Sequence, residues 1–155
     1  MIFREPIFSL KINQSAVDTH GVSIADKENL KQGKNITLEN GMTIENQRLT
    51  LDPDAPKSYA FCSDTAYLPD LAQLVKGVSC LYHEATFLDS HHDLALKTKH
   101  STAADAARIA AAGEVEQLVL GHFSSRYSDL KEFITQAQRH FQNVHLAEDG
   151  KKFLI

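Results

Sequence analysis

The chain has 155 residues, 43% of them hydrophobic and 23% charged, with a formal net charge of −4. These values fit one globular domain able to bury a core, and they exclude a general basic field that would draw nucleic acid to the whole surface. No apolar run reaches transmembrane length, and Met1-Ile2-Phe3-Arg4-Glu5-Pro6 lacks the charged-then-apolar form of a secretory signal. The expected location is the cytoplasm, with no membrane contact.

Ser23-Ile24-Ala25-Asp26 has capping-box form, and the helix it opens should run to about Gln32, before Gly33. Ile36 to Glu39 and Met42 to Glu45 alternate apolar and polar around Asn40-Gly41, which predicts a hairpin with a two-residue turn. Tyr59-Ala60-Phe61-Cys62 reads as a buried strand ending at Ser63-Asp64-Thr65. A helix follows Pro69, with Leu71, Leu74 and Val75 on one face and Gly77 as its stop.

Val78 to Tyr82 is a second buried strand, breaking at His83-Glu84. Thr102-Ala103-Ala104-Asp105 again has capping-box form, and the alanine-rich helix behind it should end at Gly113. Val115 to Leu120 is the third strand, breaking at Gly121-His122. Ser128 could cap a helix carrying Leu130, Phe133, Ile134, Ala137 and Phe141 at the 3.6 period. Val144-His145-Leu146 and Phe153-Leu154-Ile155 read as final strands around Asp149-Gly150. Strand and helix alternate in α/β order, and one architecture should extend from the hairpin onward.

Cys62 and Cys80 have no C-x-x-C spacing and read as a buried, reduced pair. His20, His140 and His145 read as solvated. Asp89-Ser90-His91-His92-Asp93 reads as an exposed loop, because neighbouring histidines point different ways.

Three strands end in Asp64, in His83-Glu84 and in His122, and the carboxyl ends of strands in an α/β sheet are where sites assemble. Aspartate and histidine are ligands suited to zinc or manganese. Two ligands do not complete a catalytic site, so His122 is either a core residue or one ligand of a centre finished elsewhere. His83 should face away from Glu84 and be structural.

Cys62-Ser63-Asp64-Thr65, Leu81-Tyr82-His83-Glu84-Ala85-Thr86-Phe87, His100-Ser101-Thr102 and Gly121-His122-Phe123-Ser124-Ser125-Arg126-Tyr127 together resemble ribonuclease Z. Ala147-Glu148-Asp149-Gly150 extends the likeness. The resemblance is to the tRNA 3′-processing endonuclease of the metallo-β-lactamase superfamily. It implies an α/β fold, the C-terminal half of an αββα sandwich, with residues 1–155 as one partial domain. It further implies a hydrolase acting on tRNA precursors, with two zinc ions in the complete site.

By the same resemblance Asp64 bridges the metals and His122 holds one of them. Glu84 orients His100, which protonates the leaving 3′ oxygen; a carboxylate partner fixes an imidazole's tautomer and raises its basicity. Arg126, Ser124 and Ser125 would contact the substrate phosphate, with a plain salt bridge as the alternative for Arg126.

The family's His-x-His-x-Asp-His motif occurs nowhere between Met1 and Ile155. The chain alone should therefore bind zinc weakly and cleave little. Residues 1–35 read as divergent: Pro6 to Asn13 keeps a proline, a lysine and an asparagine of the family's loop, with Lys11 as a candidate contact, and Ser15 to Lys34 has no Gly-Pro arm tip. Half of a sandwich leaves one sheet face bare, which implies a homo-oligomer or a complementary N-terminal half. The other readings are a non-catalytic truncated relative acting as an assembly partner and a hydrolase of small phosphodiesters.

Overall fold

Three five-residue runs, Ser58–Cys62, Cys80–Glu84 and Gln117–Gly121, form the middle of the main sheet in a computed structural model that describes residues 1–155. In chain order the elements begin with β1 (Ile2–Arg4), β2 (Lys11–Ile12), α1 (Gln14–His20) and α2 (Ile24–Lys31). The strands β3 (Ile36–Thr37), β4 (Thr43–Ile44), β5 (Thr50–Leu51) and β6 (Ser58–Cys62) come next. After these come α3 (Leu71–Leu74), β7 (Cys80–Glu84), α4 (His92–Thr98), α5 (Ala103–Ala112), β8 (Gln117–Gly121), α6 (Lys131–Ala137) and β9 (Val144–Leu146).

Two compact units result. One comprises Met1–Glu5 with Lys57–Ile155, the other Pro6–Pro56. In the smaller unit Val17, Val22, Leu30, Ile36, Ile44 and Leu49 form a core of their own.

In the larger unit the sheet order is β1-β6-β7-β8-β9, with β1 antiparallel and the rest parallel. Successive neighbouring strands joined by right-handed crossovers put all their helices on one face. Ala60, Leu81, Leu118 and Val144 align across that face. They share a buried cluster with Ala106, Ala107, Ile109 and Ala110 of α5 and Phe133 and Ala137 of α6. The alanine side chains of α5 let its backbone lie close to the strands.

The other face carries rings. Phe61 stacks on Tyr82 with centroids 4.7 Å apart, and Phe61 and Phe3 are 42% and 54% exposed. The segment after β9 crosses part of this face: Gln117 Nε2 donates to the Leu154 carbonyl at 2.8 Å. Phe153 and Ile155 close a cavity of about 360 Å³ over Tyr59, Cys80, Tyr82 and Val119. Cys62 and Cys80 are both free thiols, and burial pushes the Cys80 thiol up to about 11.

Several expectations need correction. The hairpin pairs Ile36 with Ile44 and Thr37 with Thr43, so its loop is one residue longer than a two-residue turn, with Gly41 alone at positive φ. It also lies in the smaller unit, outside the main sheet. The second strand does not break at His83-Glu84 but runs through both. Leu74 is 65% exposed, whereas Leu71 and, just past α3, Val75 pack against the core as expected, with Ala72 buried beside them.

Ser128 does not cap α6, whose first turn is held by Asp129 Oδ1 accepting from the Lys131 amide at 3.0 Å. Residues 89–93 are exposed as expected, apart from the half-buried His91, but they are no loop: Asp89–His91 is a 3₁₀ turn leading into α4. Phe153 to Ile155 forms no strand. His83 is buried, with Nδ1 against the Glu84 carbonyl at 2.8 Å, and burial lowers its pKa. No helix is long and apolar enough to cross a membrane.

Candidate metal centre

Three of the parallel strands, β6, β7 and β8, each deliver one polar residue to the same rim. Asp64 stands two residues past β6, Glu84 closes β7 and His122 follows β8 directly. Asp64 and His122 both leave their strands with positive φ, 50° and 59°. Aspartate and histidine enter this region more readily than most residues, and such sharp backbone turns aim the side chains back over the strand ends. His100 arrives from the other direction, after α4 and just before the Thr102 cap of α5, where Thr102 and Asp105 form a complete capping box.

His122 Nε2 lies 3.1 Å from Asp64 Oδ1, and the His100 and His122 rings are 5.3 Å apart. One ligand atom from each of Asp64, His100 and His122 falls within 4.8 Å of the others. Two imidazoles and a carboxylate at this separation are a donor set that zinc accepts.

Glu84 sits beneath them with its side chain fully buried. Its Oε1 accepts from His100 Nδ1 at 2.7 Å and from the Thr65 amide at 2.8 Å. Its Oε2 accepts from the Thr86 hydroxyl at 2.6 Å, the Thr86 amide at 3.2 Å and the Ser101 amide at 3.2 Å. Burial on its own pushes this carboxyl up; the hydrogen bonds from Thr86, His100, Ser101 and Thr65 together outweigh it and hold the pKa below its ordinary value.

Arg126 is not engaged with a carboxylate. Its Nε donates to Ser124 Oγ at 3.0 Å, and its guanidinium lies 5.2 Å over the Phe87 ring, a cation–π contact. Ser124 is further fixed by its amide, which donates to the Thr86 carbonyl at 3.1 Å. Ser125 is exposed.

The structure thus brings Asp64, His100 and His122 together over Glu84, with Arg126 and Ser124 held as a pair. Sequence reasoning missed Thr86, Phe87 and Tyr127 as supports. Residues 86–88 catch the loop after β8 at successive points: Thr86 meets His122, Phe87 meets Arg126, and the Leu88 amide donates to the Tyr127 hydroxyl at 3.1 Å. Thr86 and Tyr127 stood inside the matched motifs; their hydroxyls were the available signal.

No protein-family model matches the chain. A ribonuclease Z of Phocaeicola vulgatus is 36% identical over 154 residues, 99% of this chain and 50% of that protein. One from Bacteroides thetaiotaomicron is 40% identical over 150 residues, 96% and 47% of the two chains. The chain is similar to ribonuclease Z across nearly all of its own length.

Among solved structures, the metallo-beta-lactamase fold protein YhfI of Bacillus subtilis matches with a TM-score of 0.58 at 19% identity, covering 61% of this chain and 39% of that one. A long-form RNase Z from yeast matches with a TM-score of 0.55 at 23% identity, covering 62% and 13%. These likenesses show the metallo-β-lactamase fold. The chain spans about half the length of the curated proteins it matches. The five-stranded main sheet with helices on one face is half of the αββα sandwich.

Proposed function

We propose that the chain supplies one half of a zinc-dependent endoribonuclease that trims the 3′ side of tRNA precursors in the cytoplasm. The observation that carries this reading is the meeting of Asp64, His100 and His122 within 4.8 Å on one rim. Asp64 and His122 would hold metal there, and zinc, when bound, supplies Lewis-acid polarisation of the phosphodiester and a lowered pKa for a water nucleophile.

The chain's own groups do the rest. His100 gives Nδ1 to Glu84, so its other ring nitrogen faces outward to pass a proton to the leaving 3′ oxygen. Arg126 presents terminal nitrogens for a phosphate oxygen, with Ser124 steadying its Nε and Ser125 beside it. The place of His100 within the ligand cluster favours a second reading, in which it is a third metal ligand.

The remaining ligands must come from elsewhere, since no His-x-His-x-Asp-His lies between Met1 and Ile155. The ring-bearing sheet face, with Phe3 and Phe61 exposed, suits packing against a complementary half or a second copy.

The test is cleavage of a tRNA precursor by the chain alone and by the chain mixed with the half of the Phocaeicola vulgatus ribonuclease Z that it does not match. The expected result is cleavage only in the mixture, lowered about 10²- to 10⁴-fold by His100→Ala. Association without cleavage would replace the proposal with the non-catalytic assembly reading. Cleavage of a chromogenic phosphodiester but not of the precursor would replace it with the small-substrate hydrolase.

A further inference from the structure

His122 must present one ring nitrogen to a metal with its lone pair free, and a neutral imidazole carries its single ring proton on either nitrogen. The surroundings of Thr86 decide which. Thr86 Oγ1 lies 2.6 Å from Glu84 Oε2 and 2.9 Å from His122 Nδ1. The hydroxyl has one proton to give.

Glu84 cannot be the donor. Its two oxygens already face the amide N–H groups of Thr65, Thr86 and Ser101 and the ring nitrogen of His100. Every backbone partner in that set is an obligate donor, so the carboxylate is held ionised and accepts the Thr86 proton as well. The Thr86 oxygen is then left with lone pairs toward His122, and only a proton on Nδ1 satisfies the 2.9 Å contact.

We propose that Thr86 is a positioning residue that relays the charge of Glu84 to His122, fixing the Nδ1–H tautomer and leaving Nε2 as the metal-binding atom beside Asp64. One buried carboxylate thereby sets two imidazoles, His100 directly through Oε1 and His122 through the Thr86 hydroxyl on Oε2. The same assignment puts an Nε2 lone pair 3.1 Å from a carboxylate oxygen of Asp64, an arrangement of two acceptors that calls for a cation between them. Partners of this kind behind a metal-binding histidine typically change metal affinity about 10- to 100-fold.

The inference deepens the metal reading of the site and rests on it for its purpose, so its test has two arms. The first needs no metal: nitrogen-15 NMR of the histidine rings at a pH where they are neutral, in the Asp64→Ala chain, where the competing partner of Nε2 is gone. His122 should carry its proton on Nδ1, keep it there with Thr86→Ser, and lose that preference with Thr86→Val. A proton on Nε2 before any change at Thr86, or no response to Thr86→Val, overturns the relay.

The second arm is calorimetric zinc titration of the chain with Asp64 intact. Thr86→Val should weaken binding about 10- to 100-fold while Thr86→Ser restores it. Equal affinity in all three would also overturn the relay. A chain that takes no zinc but shows the expected tautomer refutes the metal reading and leaves the relay standing.

Discussion

Replacing Glu84 with glutamine should lower the stability of the chain by about 2 to 4 kcal/mol, measured as a shift in the urea midpoint at neutral pH. The side chain is fully buried and receives five hydrogen bonds, three of them from backbone amides. An amide of the same shape turns one acceptor oxygen into a donor, so whichever way it is placed it meets N–H or O–H groups head on. The loss is that of a buried network with partners left facing nothing, larger than that of one bond.

The variant should also change the pH dependence. The folded-state pKa of Glu84 lies below its ordinary value of 4.5. Its contribution to stability is therefore complete above 4.5 and lost as pH falls through the lower folded value. Glu84→Gln should be flatter across that acid window. A variant as stable as the parent, with the same acid profile, would mean that the carboxylate does not organise the rim.

Gly121→Ala should destabilise the chain by about 1 to 3 kcal/mol, with the loss relieved when Tyr82 is also changed to alanine. A Cβ at residue 121 would stand 2.3 Å from the Tyr82 hydroxyl oxygen and 2.6 Å from two ring carbons. Tyr82 cannot swing aside without breaking its stack on Phe61. The alternative is a shift of β8, and the next residue is His122, so the same substitution should disturb the His122 ring signals. Thermal unfolding of the two single variants and the double variant measures the coupling. Strictly additive effects would contradict the close packing.

Much of the fold was legible because its signals are local. The Thr102-Asp105 capping box, the Gly113 stop and the apolar runs at 59–62, 78–82 and 115–120 each depend on residues within one turn or one strand; the helix stands where expected, and the strands overlap those runs, the second and third starting two residues later. What failed depended on distant partners. His83 and Glu84 look like a break in an apolar strand, yet both are buried: the imidazole's Nδ1 meets a backbone carbonyl, and donors brought from residues 65, 86, 100 and 101 neutralise the cost of the carboxylate.

Leu74 obeys the helical period but faces outward, because α3 is a single turn whose inner side is already filled by Ala72 and Val75. The hairpin's extra loop residue arises from one positive-φ glycine, which favours a three-residue loop over the mirror-image turn needing two such residues. Phe153 to Ile155 has strand composition but packs on the open face of the sheet instead of joining its edge. At the site, the pairing of Asp64 with His122 and of Glu84 with His100 was readable from motifs. The Thr86 hydroxyl stood inside a matched motif, but its place between the two pairs was not legible, since a threonine after a strand has no periodic or spacing signature.

The central claim is that Asp64 and His122 share a cation, and zinc stoichiometry by native mass spectrometry tests it most directly. The chain should take up zinc weakly, from buffer holding an excess of the ion, and both Asp64→Ala and His122→Ala should abolish that uptake while staying folded by circular dichroism. A chain that takes up no zinc even in excess of the ion, or two variants that take up as much as the parent, would contradict the claim.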